Sequence, residues 1–212
     1  MLGIKIGPYH TYNDWALILG RIDLQTPTPK AYKIDIEGAD GTLDVTDFFG
    51  EVKYNDFTQP FPFTMTGPQE EYSARHDAIK NAIHGKKLRI ILDDMPGFFY
   101  MGRVTVGSLA NEKGYAAFDI VADCEPYKYK LEKTTVTKAI TGSGAVSLTN
   151  SRKRAVPTIT ASAAFTLTFG PYTWTISAGT YTLPELELVE GANVVSVTGT
   201  GTISLTWQEG GL

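Results

Sequence analysis

The chain has 212 residues, enough for one large domain or two small ones, with 42% hydrophobic residues, 20% charged residues and a formal net charge of −4. That composition supports a packed core and excludes a disordered chain or a long coiled coil. The acidic balance argues against tight nucleic-acid binding, which draws on Lys and Arg neutralising phosphates, and a lone cysteine, Cys124, excludes a disulfide framework.

The opening segment "MLGIKIGPYHTYNDW" has too short an apolar run for a signal peptide and no small-residue cleavage site. No stretch approaches the roughly 20 apolar residues that span a bilayer. The expectation is a soluble protein made in the cytosol. "WALILGRIDL" then reads as a strong strand, ended by "TPTPK", whose prolines belong at an edge or in a loop. "AYKIDIEG" alternates Tyr32, Ile34 and Ile36 with Lys33, Asp35 and Glu37, the period-two mark of a half-buried strand.

The run "DIEGADGTLDVTDFFG" that follows crowds carboxylates around two glycines. It fails as an EF-hand: with Gly41 at position six, position one is Ile36 and position three is Gly38. It fails as a phosphate loop too, since no Lys follows the glycines. It reads instead as a turn shaped by Gly38 and Gly41, in which Gly41→Val should destabilise the front of the chain.

"EVKYNDFTQPFPFTMTG" continues as strand. The one helix is "PQEEYSARHDAIKNAIHG", where Tyr72, His76, Ile79 and Ile83 share a face and Gly85 supplies a left-handed stop. "KLRIIL", "FFYMGRVTVGSLA" and "GYAAFDIVAD" complete a meander.

Composition changes near residue 130. Residues 131–212 hold five Lys or Arg and five Asp or Glu, so the whole acidic excess lies in front. The back part has no Asp, His or Cys and is rich in Thr, Ser, Gly and Val. Eight short strands are expected there, with turns at "TGSG", "FGP", "VEGAN" and "GTG". The division is therefore 1–130 and 131–212. The fold class is mainly β: an N-terminal β-sandwich with one flanking α-helix, then a small β-sandwich or jelly roll.

No nucleophile motif, nucleotide fingerprint or metal spacing is present, so neither catalysis nor a cofactor is expected. His10, His76 and His84 share no ligand spacing, Asp93-Asp94 reads as an exposed turn, Cys124 as a buried structural thiol, and "SRKR" at 151–154 as a solvated loop. Tyr172, Trp174, Tyr181 and Trp207 could stack on sugars, but in so small a sandwich most belong to the core.

Several segments in order resemble the distal tail protein (Dit) family of siphophages. "EGADGTLDVTD" resembles its "PG-x-DG-x-LD-L-T" signature, with Glu37 where the family often has proline. "IHGKKLRIILDD" resembles its helix end and next strand, "FFYMGRVTV" its "YY-x-GR" strand, and "ADCEPYKY" its "DPY-x-Y" close of the first domain. "LVEGANVVSVTGTGTISLTW" before the terminal "GGL" resembles its second, galectin-like domain.

The resemblance implies a phage structural protein: a hexameric ring that joins the tail tube to the tip or baseplate and the host-adsorption apparatus. Residues 1–130 would form the ring, and the second domain would project outward. Partners would be further copies of itself, the tail tube protein, a tail-associated lysin or tip protein and a receptor-binding protein, at the virion tail tip. DNA would pass through the channel without specific binding, with Asp40, Asp44 and Asp47 as channel-facing candidates. The rival readings are a tube or baseplate protein of a contractile tail or tailocin, and a carbohydrate-binding protein.

Overall fold

A computed structural model describes residues 2–48 and 50–212. The elements in order are β1 (Ile4–Ile6), β2 (Tyr9–His10), β3 (Leu17–Leu19), β4 (Lys33–Asp35), β5 (Thr42–Asp44), β6 (Phe57–Met65), α1 (Tyr72–Ile83), β7 (Lys87–Leu92), β8 (Phe98–Val106), β9 (Ala110–Glu112) and β10 (Tyr115–Lys130). There follow β11 (Thr134–Asn150), β12 (Thr158–Ala161), β13 (Phe165–Phe169), β14 (Tyr172–Ile176), β15 (Gly179–Thr182), β16 (Gly191–Trp207) and β17 (Gly210–Gly211). The chain is mainly β, as its composition and periodicity imply. It divides into two units, one ending at Lys128 and the other spanning Tyr129–Gly211. No described helix is long and apolar enough to cross a membrane.

In the first unit a curled sheet runs in the order β2-β1-β7-β8-β10-β6-β3, with β9 also on β10. Its inward residues are those that period two selects: Ile4 and Ile6 on β1, Phe61, Phe63 and Met65 on β6, Phe118, Ile120 and Ala122 on β10. α1 adds Tyr72, His76, Ile79 and Ile83 to the same side, the face expected of it. Gly85, just past its end, has φ +75.

One expectation needs correction here. "WALILGRIDL" supplies only the three-residue β3. The register that pairs Leu19 with Phe63 would carry on to Gly20 with Pro62 and Ile22 with Pro60. Gly20 N donates to Pro62 O at 2.8 Å, but neither proline can return a bond. The ladder ends there. The buried Gln59 amide takes over, with Oε1 accepting from Gln25 N and Nε2 donating to Asp23 O. At the N-terminus β1 and β2 form a hairpin that no pattern of useful length announces.

The second unit is a six-stranded antiparallel sheet in the order β14-β13-β16-β12-β15, with β11 along β16. Eight short strands become fewer and longer ones. "TGSG" and "GTG" are not turns: β11 and β16 run straight through them, paired without a break from Thr134↔Trp207 to Asn150↔Gly191. One half of β16 pairs with β13 and the other with β12, so the strand must change direction between them. Gly199 (φ +146) and Gly201 (φ +152) lie at that change, and Gly142 (φ +80) lies opposite Gly199. Glycine here bends a continuous strand rather than reversing it.

Glu209 closes this unit. Its carboxylate accepts from Lys130 Nζ at 2.6 Å, Ser151 Oγ at 2.5 Å and the Thr134 hydroxyl. Burial alone would raise its pKa, but these hydrogen bonds outweigh it and hold the carboxyl below the usual range.

Candidate functional site

The chemistry-bearing residues are placed as follows. His10 Nε2 meets the Asp93 carboxylate at 3.1 Å, the only described pairing that resembles a catalytic dyad. Its other nitrogen, Nδ1, already accepts from the backbone N–H groups of Tyr12 and Asn13, and Asp93 Oδ2 also accepts from Gly3 N at 2.7 Å. The pair ties β2 to the turn after β7 and offers no open nitrogen to a substrate. Asp93 is therefore a bonded anchor and not a free turn residue. His76 Nε2 donates to Gly107 O at 2.9 Å and packs edge-on against Phe118, a satisfied core histidine.

Cys124 is buried. That burial, followed by the charges of Asp123, Asp56 and Glu125, pushes its thiol up to about 12, so it is neither nucleophile nor ready metal ligand. Among the described residues no group of three or more His, Cys, Asp or Glu is placed to hold a metal.

The run "SRKR" is not a solvated loop. Ser151 binds Glu209, Lys153 Nζ donates to Tyr129 OH and lies over its ring, and Arg154 bridges to Glu187 at 2.9 Å. The side chains of Ser151, Lys153 and Arg154 are thus engaged within the second unit. Trp207 is core, while Trp174 and Tyr181 are half-buried against it. Tyr172 is exposed and stacks on Trp174 with ring centroids 5.8 Å apart.

The segment "EGADGTLD" is the turn and second strand of a β-hairpin made by β4 and β5, which pair only with each other. Its base is closed where Lys30 N donates to Lys53 O and Asn55 N to Thr28 O. Gly38 (φ +80) and Gly41 (φ +77) shape the turn, and a Cβ at either would meet nothing within 4 Å. A side chain there costs backbone strain alone, about 1–2 kcal/mol.

That strain stays in the hairpin, because the hairpin packs on no core. Contrary to the expectation from sequence that Gly41→Val destabilises the front of the chain, the change should leave the melting temperature of the first unit unchanged and speed amide exchange in residues 33–44, because β4 and β5 pair only with each other. A lowered melting point would show that the turn supports the whole unit.

Asp40, Asp44 and Asp47 all lie in this one arm and all are exposed. Asp44 Oδ1 accepts from Thr46 N at 2.9 Å. The hydrogen bonds from Thr46, side chain then backbone, hold its carboxyl below the usual range.

The register decides which residues share a face. Ile34 lies opposite Leu43, so period two puts Tyr32, Ile34, Ile36, Leu43 and Val45 on one side. Lys33, Asp35, Thr42 and Asp44 occupy the other. The alternation that predicted a half-buried strand is present, but the apolar side is uncovered: Tyr32, Ile34, Ile36 and Leu43 are 47–51% exposed. The sequence signalled burial, and the single chain has nothing to bury these residues against.

No protein-family model matches this chain, and no curated protein matches it. Solved structures do. SPP1 Dit (gp 19.1), described as a paradigm of the hub adsorption apparatus in phages infecting Gram-positive bacteria, matches over 100% of both chains with a TM-score of 0.75 and 15% identity. A chain of the phage p2 baseplate in its activated conformation with Sr matches over 97% of this chain and 98% of that one, with a TM-score of 0.50 and 8% identity. A chain of the same baseplate state with Ca matches over 99% and 98%, with a TM-score of 0.51 and 7% identity. At such identities the likeness is one of fold, and it runs the full length of SPP1 Dit.

Proposed function

We propose that a chain with the fold of a phage Dit protein from end to end is itself the distal tail hub of a siphophage. Copies close into a hexameric ring that joins the tail tube to the tip or baseplate and the host-adsorption apparatus. The role is structural and not enzymatic. The observation that carries this reading is the match to SPP1 Dit over the whole of both chains. The weaker likeness to p2 baseplate chains fits a position in or against a baseplate.

In this reading the ring contacts the tail tube protein on one side. On the other it contacts a tail-associated lysin or tip protein and a receptor-binding protein. The acidic excess lies in residues 1–130, and a closed ring multiplies it. Asp40, Asp44 and Asp47 on the hairpin face the channel, where they repel phosphates and let DNA pass without sticking.

Native mass spectrometry and negative-stain microscopy of the full chain test the reading. Six-copy rings are expected, at least at high concentration or beside the tube protein. A chain that remains monomeric in both conditions would sink it.

A further inference from the structure

We propose that the free edge of β11 is a strand-pairing surface that fits the same edge of a second copy, and that Lys138 keeps it closed. The guard works within the second unit and is independent of what the first unit assembles into.

The edge is long and uncovered. β11 pairs with β16 on one side, and among the described residues no strand pairs with its other side. The strands that end each sheet are short: β2 and β3 have two and three residues, β14 and β15 five and four, whereas β11 has 17. A short edge is a poor template for another chain, and a long one is a good template unless something blocks it. β11 contains no proline and a single charged residue, Lys138.

The register fixes which main-chain groups face the open side. Thr202 N donates to Ser162 Oγ at 2.8 Å, and Thr202 O accepts from Ser162 N at 3.0 Å. Ser162 follows β12, which lies on the other flank of β16, so both groups of Thr202 turn away from β11. Ala139, opposite Thr202, therefore turns its own N–H and C=O to the open edge. The pairing with β16 continues without a break, so period two puts Ala145, Ser147 and Thr149 in the same position. Ala145 bears this out, because its carbonyl accepts from Lys138 Nζ at 2.6 Å.

Lys138 stands opposite Ile203, at the parity of Val136 and Ile140, which turn to the core, yet it is exposed. The bend at Gly142 folds the strand enough for its amine to reach a carbonyl seven residues on. A lysine at core-side parity on an edge strand is a device against pairing. A strand laid along this edge would have to displace the amine from Ala145 O and take its charge out of water. The occupant so excluded is another β11. Residues 139–150 carry no charge and no proline, so two such stretches meet antiparallel about a two-fold axis, each supplying the donors and acceptors that the other lacks.

The test is made on the full chain. Lys138→Thr removes the amine, adds no large apolar surface and leaves a residue suited to a strand. The variant should keep the parent's circular dichroism and melting temperature. In sedimentation it should self-associate about tenfold more tightly, beyond the state the parent reaches at the same concentration, and amide exchange at Ala145, Ser147 and Thr149 should slow by about tenfold. Lys138→Arg, which keeps charge and reach, should behave as the parent. Ser147→Pro added to Lys138→Thr removes an N–H that no ladder bond uses, and should restore the parent's sedimentation. If Lys138→Thr does not fold, Lys138→Met makes the same comparison with the stem retained.

A Lys138→Thr chain that sediments and exchanges as the parent does would overturn the guard. Association that Ser147→Pro leaves intact would place the contact elsewhere and overturn the edge. An Arg variant that associates as the Thr variant does would overturn the part given to the charge.

Discussion

Gly199→Val should destabilise the second unit by about 4 kcal/mol, a large part of what a small domain has. Two costs combine. The backbone at Gly199 has φ +146, which L residues rarely adopt, and a β-branched residue adopts it least readily. An added Cβ would also stand 2.6 Å from Ala164 O and 2.6 Å from Phe165 Cδ1. The ring of Phe165 could shift, but the carbonyl is backbone, held by the β13 pairing beside it. Gly142→Val is the control. It sits opposite with φ +80 and nothing within 4 Å of its Cβ, so it should cost only about 1–2 kcal/mol. Thermal melting followed by tryptophan fluorescence compares the two. Equal melting points would mean that strain alone matters and that the close approach at the bend carries no weight.

Trp207→Ala should cost about 3–5 kcal/mol. Trp207 is 2% exposed and packs among Ile203, Leu205 and their neighbours at the end of β16, where truncation leaves a cavity. Its Nε1–H also donates to Asn150 Oδ1 at 3.1 Å. Asn150 keeps its own bonds to Lys153 O and Leu188 O, so losing the indole leaves a single acceptor without a donor. That adds about 1 kcal/mol. Trp207→Phe separates the two contributions, since it retains much of the volume and loses only the donor; about 1–2 kcal/mol is expected. Urea denaturation of the three proteins gives the numbers. A Phe variant as unstable as the Ala variant would place the weight on the hydrogen bond instead of the packing.

Both effects concern the rigidity of the second unit, whereas the proposed function depends on the first. A hub must hold its shape under axial load and present the same contact on every copy. In the first unit the curled sheet supplies the fixed frame, and the hairpin is the element without partners in the single chain. This separation is why Gly41→Val should spare monomer stability while Gly199→Val and Trp207→Ala do not.

The sequence by itself determined whatever depends on neighbours along the chain. α1 was legible because Tyr72, His76, Ile79 and Ile83 follow the helical period and a glycine follows the last turn. The amphipathic character of "AYKIDIEG" was legible because period two needs no tertiary partner. The resemblance to the distal tail family rested on short motifs in order, and it is borne out as a likeness of fold to SPP1 Dit.

Tertiary structure alone decided matters that depend on a second segment. β3 is short because of Pro60 and Pro62, about forty residues further on, so nothing in "WALILGRIDL" itself could announce its end. Gly142 of "TGSG" lies opposite Gly199 of "GTG", and only the pairing of the two strands distinguishes a bend from a turn: a glycine permits both, and the partner strand selects one. Glu209 gave no local signal, because its three donors come from Lys130, Thr134 and Ser151. The hairpin belongs to both lists. Its pattern marks one face as apolar, which is local, and only the fold shows that this face is left uncovered in the single chain, because β4 and β5 pair with each other and with no other strand.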